Sequence, residues 1–182
     1  PVRQNLLDHA LSREDAIRAF GLDPNKKTIL ILGGSLGART INNTLIAGLP
    51  TLKKNNDIQF IWQTGKIYHQ QVMEAVGSAG SIPNLYVADF IKDMATAYSA
   101  ADLVISRAGA GSISEFCLLS KPVILVPSPN VAEDHQTKNA LALVNKGAAI
   151  YVKDAEAETK LLPAALETIA DTAKLKDYLA TA

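Results

Sequence analysis

The chain has 182 residues, 48% of them hydrophobic and 20% charged, which is the composition of a globular domain long enough to bury a core. Eighteen basic and eighteen acidic residues cancel, so nothing in the charge balance suggests a nucleic-acid surface or a polybasic membrane anchor. No apolar run approaches the ~20 residues of a transmembrane helix, and no signal peptide is apparent. The single cysteine, Cys117, fits a reducing compartment, and we expect it to be a buried structural thiol. The sequence begins at Pro1 within a loop-like stretch, so we expect a fragment of a longer protein.

The first predicted elements are a short helix and a buried strand that leads into a glycine-rich turn. Ser12 has N-cap character and Gly21 is placed to end the helix. Residues 28–32 form a continuous apolar run, which is typical of a parallel strand covered on both faces. A tight turn from strand to helix needs glycine for steric reasons alone, so this turn by itself is weak evidence for phosphate binding. Its glycines are Gly33, Gly34 and Gly37, and the following helix carries Ile41, Leu45 and Leu49 on one stripe.

Two further strands are predicted before residue 100. The elements are, in order, a strand over 58–62, a helix over 70–76, a loop over 77–83 and a strand over 85–87. Phe90 and Ile91 follow the last of these strands. Their spacing favours core packing, with an apolar surface for a flat base as the alternative. Asp93 is a good N-cap for the helix that comes next.

Residues 102–119 are the most informative stretch of the chain. Residues 103–105 predict a buried strand, followed by a small-residue turn and then a helix. A strand, a small-residue turn and a helix in this order favour anion binding at the start of the helix. The first N–H groups of a helix are unpaired, and the helix macrodipole is positive at that end. Glu115 lies one turn into the helix, where a carboxylate can accept hydrogen bonds from a sugar diol. We therefore predict a site for a phosphorylated, sugar-bearing ligand, with Gly109, Ala110, Gly111 and Ser112 forming the turn.

The last part of the chain predicts two more strands and two helices. The elements are a strand over 122–127, a helix that opens near 134–139, a strand over 149–152 and a helix over 158–182. His135 and Gln136 are polar groups at the helix start, on the same edge of the sheet as the two glycine turns. A metal site is not expected, because the three histidines are far apart and no partner lies at ligand spacing. Strand and helix alternate about six times, which predicts an α/β fold with a doubly wound, Rossmann-like parallel sheet and helices on both faces.

Four motifs and the amino terminus resemble the C-terminal half of the MurG-type peptidoglycan N-acetylglucosaminyltransferases. The motifs are residues 33–38 (GGSLGA), 90–94 (FIKDM), 106–115 (SRAGAGSISE) and 134–140 (DHQTKNA), and residues 1–3 (PVR) match the end of an interdomain segment. They cover nearly the whole chain in order, which is far more specific than one glycine turn. The resemblance implies one half of a two-domain GT-B enzyme. Residues 1–182 would be a single donor-binding domain, with residues 1–10 left from the hinge and the N-terminal acceptor domain absent.

The resemblance also implies an activity. Such enzymes transfer N-acetylglucosamine from UDP-GlcNAc to the 4-hydroxyl of undecaprenyl-pyrophosphoryl-MurNAc-pentapeptide, which converts lipid I to lipid II in peptidoglycan synthesis. The reaction inverts the anomeric carbon, and no metal or other cofactor is expected. The general base is expected in the N-terminal domain, so this chain should bind donor without turnover. The implied partners are UDP-GlcNAc and lipid I, with no nucleic acid, in a cytoplasmic protein that is peripheral on the inner membrane.

Residue roles follow from the matched motifs. The main chain around Ile91 would bind the uracil, and Glu115 would bind both ribose hydroxyls. The remaining roles go to Ser35 and the amides of Ala110, Gly111 and Ser112 for the pyrophosphate, His135 and Gln136 for the sugar hydroxyls, and Arg3 for the nucleotide from the hinge. Two alternatives share the fold: half of a UDP-GlcNAc 2-epimerase and a non-catalytic nucleotide-sugar-binding module. An NAD dehydrogenase is disfavoured, because no G-x-G-x-x-G follows either glycine strand.

Overall fold

The computed structural model describes residues 11–33, 39–108, 121–129, 135–145 and 149–171. In chain order the elements are α1 (Arg13–Ala19), β1 (Lys27–Leu32), α2 (Arg39–Ala47), α3 (Leu49–Lys54), β2 (Ile58–Gln63), α4 (Lys66–Ala79), β3 (Leu85–Ala88), α5 (Met94–Ala100), β4 (Leu103–Ser106), β5 (Val123–Leu125), α6 (His135–Asn145), β6 (Ala149–Tyr151), a 3₁₀ turn (Asp154–Glu156) and α7 (Ala157–Ala170). Within these ranges no helix is long and apolar enough to cross a bilayer.

The six strands form one parallel sheet in the order β3-β2-β1-β4-β5-β6. The strand order reverses between β1 and β4, because the chain builds outward from β1 in one direction and then outward from β4 in the other. All strands end at the same side of the sheet, which we call the carboxyl edge; the opposite side is the amino edge. The prediction of a doubly wound parallel sheet is confirmed.

Helices cover both faces of the sheet, so the central strands are buried on both sides. Ile29 and Ile31 of β1 point into one apolar core with α2, α3, α4 and α7, while Leu30 points into a second core with α1, α5 and α6. All three side chains are fully buried. This double burial explains why the strand reads as a continuous apolar run rather than as alternating apolar and polar residues.

Two helix starts are fixed by the side chains that the sequence indicated. The Ser12 hydroxyl accepts a hydrogen bond from the Asp15 N–H at 3.1 Å. The Asp93 carboxylate accepts one from the Thr96 N–H at 3.1 Å and another from the Thr96 hydroxyl at 2.6 Å. The bonds from Asp15 and Thr96 N–H each satisfy a main-chain donor that has no partner within the helix, which is why these residue types mark helix starts.

Three helix predictions need correction. The helix expected over 158–182 runs from Ala157 to Ala170, and Asp171 after it has extended backbone. The stripe of Ile41, Leu45 and Leu49 is buried as expected, but it belongs to two helices that meet at Gly48. A Cβ at Gly48 would lie 2.2 Å from Leu162 of α7, so the close approach of α7 accounts for glycine at this break. The loop predicted from Gly77 is helical, since α4 continues to Ala79. Gly77 faces open space there, and a single exposed glycine costs a helix only about 1 kcal/mol.

Candidate functional site

The crevice at the carboxyl edge between β1 and β4 is the candidate site. β1 is followed directly by Gly33, and β4 is followed by Arg107 and Ala108, so the two glycine-rich segments leave neighbouring strands. In open α/β sheets, ligands bind outside the carboxyl ends of the strands where the strand order reverses. The sheet therefore places side by side the ends of two strands that precede glycine-rich segments and are more than 70 residues apart in the sequence.

The start of the first glycine segment is held by a buried amide. Asn42 of α2 is 1% exposed; its Nδ2 donates to the Thr64 carbonyl at 2.9 Å and its Oδ1 accepts from the Trp62 indole N–H at 2.9 Å. The Gly33 N–H donates to the Gln63 carbonyl at 2.8 Å. A Cβ at Gly33 would lie 2.2 Å from Asn42 Oδ1, and that oxygen is fixed by Trp62. Glycine at position 33 is therefore required by the packing of this edge.

The segment after β3 lies at the same edge and is joined to β2. The Ile91 N–H donates to Gln63 Oε1 at 2.8 Å. The Ile91 side chain is 5% exposed and packs in the core, as its spacing favoured. Phe90 beside it is 61% exposed, so an apolar ring faces outward next to the segment expected to meet the base. Core packing thus holds for Ile91 alone.

At the polar start of α6, Gln136 makes a hydrogen bond that the sequence analysis did not predict. Gln136 is 9% exposed, and its Oε1 accepts a hydrogen bond from the Ser128 N–H at 2.9 Å, which fixes the segment that follows β5. His135 is the first residue of α6, and its side chain lies outside the described part of the chain. The sugar contacts of both residues stay predictions.

Most of the sequence-predicted ligand residues lie outside the described ranges. These are Arg3, Gly34, Ser35, Gly37, Gly109, Ala110, Gly111, Ser112 and Glu115, with Cys117 beside them. Their predicted roles are neither supported nor opposed by the described contacts. What the structure gives is the position of the residues that flank them.

Exposed cations stand near the flanks of the site. Arg39 is the first residue of α2, directly after the first glycine segment, and Lys66 is the first residue of α4, after β2. Lys92 follows the segment that contains Ile91. Such charges favour an anionic ligand through long-range attraction, which salt screens at these exposed positions. Within the described residues no three His, Cys, Asp or Glu side chains cluster as metal ligands.

The described basic groups whose pKa is shifted lie at the amino edge instead. Arg13 forms a two-pronged pair with Asp102, at 2.8 Å for each bond, and this hydrogen bonding raises the pKa of Arg13. Burial lowers the pKa of Lys121, whose ammonium donates to the Ala101 carbonyl at 2.9 Å. Asp102 also accepts from the Thr28 N–H at 2.8 Å, so this network ties α1 to the starts of β1 and β4. Its place away from the crevice indicates a stabilising role.

Comparison with known proteins decides the family. Residues 28–179 match the model of the glycosyltransferase family 28 C-terminal domain, which is well over half of the chain. The chain belongs to this glycosyltransferase family. The match begins within β1 and includes both glycine-rich segments.

Individual relatives agree with the family match. A Bacteroides fragilis UDP-N-acetylglucosamine--N-acetylmuramyl-(pentapeptide) pyrophosphoryl-undecaprenol N-acetylglucosamine transferase is 81% identical over 177 residues, covering 97% of this chain and 47% of that protein. The crystal structure of Acinetobacter baumannii MurG is 31% identical with a TM-score of 0.73, covering 95% of this chain and 48% of that one. This chain therefore spans about half the length of the curated relatives it matches.

A UDP-N-acetylglucosamine 2-epimerase structure has a TM-score of 0.63 to this chain at 14% identity, covering 91% of this chain and 40% of that one. At that identity the likeness shows a shared fold alone. The epimerase alternative therefore gains no support from it beyond the sheet architecture that both share.

Sequence reasoning missed three residues that shape the site: Gln63, Asn42 and Asp154. Gln63 could have been noticed, because a polar side chain directly ends a buried strand beside the segment that contains Ile91. Asn42 interrupts the apolar stripe of α2, which is the usual sign of a buried polar contact. Asp154 gives no such signal, because its partners lie far away in the sequence.

Proposed function

We propose that the chain is the donor-binding half of an inverting glycosyltransferase that moves N-acetylglucosamine from UDP-GlcNAc to the 4-hydroxyl of the muramyl sugar of lipid I. The whole protein would act on the cytoplasmic face of the inner membrane, without a metal. The acceptor and the general base would be held by the other half of the protein. This chain alone would bind donor and not turn it over.

One observation carries the proposal. Two glycine-rich segments leave β1 and β4, the neighbouring strands at which the strand order reverses, and a third segment with Ile91 leaves β3 at the same edge. A nucleoside diphosphate needs such an arrangement, with main-chain N–H groups for the phosphates and a separate surface for the base. Family membership and the donor named for the relatives support the same ligand.

The chemistry sets what the site has to provide. Inverting transfer builds positive charge on the sugar ring and negative charge on the departing UDP. Aligned N–H donors at the predicted turn of residues 109–112, with a helix dipole behind them, would stabilise that leaving group in place of a metal. Ser35 would add a donor from the first glycine segment. Glu115 would accept hydrogen bonds from the two ribose hydroxyls. This pair of bonds would distinguish a ribonucleotide from a deoxyribonucleotide.

Calorimetric titration of the 182-residue chain with UDP-GlcNAc, UDP and dTDP, with and without Mg²⁺, tests the proposal. We expect UDP and UDP-GlcNAc to bind equally well with and without Mg²⁺, and dTDP to bind more weakly because it lacks a ribose hydroxyl. Absence of binding to all three would contradict the proposal that this chain is the donor-binding half. Binding that requires Mg²⁺ would contradict the metal-free site.

Glu115→Ala should weaken UDP binding by about 1–3 kcal/mol, or roughly 5- to 150-fold, because ribose hydroxyls lose their acceptor. A matched control is Asp57→Ala, which removes an exposed carboxylate beside the start of β2 at the opposite edge. That variant should bind UDP like wild type. Wild-type affinity in Glu115→Ala would remove Glu115 from the ribose role.

A further inference from the structure

One carboxylate joins loops at the carboxyl edge that are far apart in the sequence. Asp154 lies in the 3₁₀ turn after β6; its Oδ1 accepts from Arg107 Nη1 at 2.5 Å and its Oδ2 accepts from the Thr40 hydroxyl at 3.0 Å. These partners are 47 and 114 positions away in the sequence. Asp154 therefore connects the loop after β6 with the loop after β4 and with the first turn of α2.

Arg107 extends the connection to β5. The same Nη1 lies 3.2 Å from the Val126 carbonyl and 3.2 Å from the Pro127 carbonyl, both directly after that strand. The side chains of Arg107 and Asp154 are only 13% and 15% exposed, so solvent screens their pairing weakly. A guanidinium presents several donors in one plane, which suits a group that must hold acceptors from two loops.

The partners of Asp154 flank the two glycine-rich segments. Thr40 comes two residues after the segment that ends at residue 38, and Arg107 comes two residues before Gly109. We propose that Asp154 is a positioning residue, which sets the spacing between the two phosphate-binding segments through Thr40 and Arg107. This inference rests on the proposed function, since it assigns a role within the same nucleotide site.

The physical reason is preorganisation. Main-chain donors from two separate segments bind one diphosphate well only if the segments are already held at the right separation; otherwise binding has to order them first. The segment expected to bind the base is held by a different contact, between Gln63 and the Ile91 N–H. Asp154 makes no described contact with that pair. Loss of Asp154 should therefore weaken the binding of the phosphates and leave the binding of the nucleoside unchanged.

The test compares UDP with uridine on the 182-residue chain by calorimetric titration. Asp154→Ala removes both acceptors, Asp154→Asn removes the charge but keeps a carbonyl oxygen, and Thr40→Val removes one hydroxyl at constant shape. We expect Asp154→Ala to lower UDP affinity about tenfold or more, with smaller losses in the other two, while uridine affinity changes less than about twofold. Asp57→Asn, which alters an exposed carboxylate at the amino edge, should change neither.

The outcomes separate the inference from the proposed function. Wild-type UDP affinity in all three variants would overturn the positioning role, and so would equal losses for UDP and uridine, which indicate a general structural defect. Failure of the wild-type chain to bind UDP would overturn the proposed function and this inference with it. Thermal unfolding of each variant checks folding, and Thr40→Val supplies the test if Asp154→Ala does not fold.

Discussion

Replacing Asn42 with leucine should destabilise the fold strongly, although the two side chains are similar in size. Asn42 is 1% exposed, and its amide pairs with the Trp62 N–H and the Thr64 carbonyl, both at 2.9 Å. Trp62 and Thr64 are themselves fully buried. Leucine would leave one donor and one acceptor without partners in a place that water does not reach. The third contact, to the Gly33 carbonyl at 3.4 Å, is long and adds little.

Each buried polar group left without a partner costs about 1–3 kcal/mol, so two such groups give an expected loss of about 2–6 kcal/mol. For a chain of this size, 1 kcal/mol lowers Tm by about 2–4 °C, so the expected drop is about 4–24 °C. Trp62 is the single tryptophan of the chain, so its fluorescence reports unfolding from the place that is perturbed. Urea denaturation followed by that signal gives the free energy of unfolding directly.

The chain offers a control next to the mutated position. Asn43 lies on the same helix but is exposed, so Asn43→Leu makes the same chemical change without stranding a buried group. Its free energy of unfolding should stay within about 0.5 kcal/mol of wild type. If Asn42→Leu behaved like Asn43→Leu, the buried amide network would not hold the start of the glycine segment, and the reasoning would be wrong.

Two more predictions concern the base segment and the amino edge. Gln63→Leu should weaken the binding of uridine and of UDP alike, by about fivefold, because the Ile91 N–H loses its acceptor. Gln63→Glu keeps an acceptor oxygen and should bind both ligands normally. Unchanged uridine affinity in Gln63→Leu would refute this prediction. Burial lowers the pKa of Lys121 from 10.5, so between the folded pKa and 10.5 the unfolded chain binds more protons, and this residue's contribution to stability rises with pH. The stability of wild type relative to Lys121→Met should therefore increase as the pH is raised toward 10.5 in urea denaturation, and a constant difference would refute it.

Sequence reasoning succeeded where the determinant is local. The apolar run of β1 and the caps Ser12 and Asp93 could be read directly, because burial on both faces and an unpaired helix N–H each leave a mark within a few residues. Strand order leaves no such mark, so the adjacency of β1 and β4 had to come from the structure. Resemblance to a family supplied the site roles, and composition and spacing alone would have supported only an anion site.

The contacts of Asp154 mark the limit of that reasoning. An exposed-looking aspartate in a short polar stretch has the same local pattern whether it faces solvent or bridges two loops. Only the folded sheet brings it to Thr40, 114 positions earlier in the chain. Gln63 is intermediate, because its place at the end of β2 was visible while its partner, the Ile91 N–H, was not.

The two edges of the sheet carry separate side-chain networks. The network of Arg13, Asp102 and Lys121 ties the starts of β1 and β4 together, while Asp154 and Gln63 act where the same sheet ends. Between the two edges lie β1, β2 and β4, whose middle residues are fully buried. We therefore expect a change at the amino edge to lower the free energy of unfolding without changing the affinity for UDP. A variant at the carboxyl edge that loses UDP affinity at unchanged Tm therefore reports on the site itself.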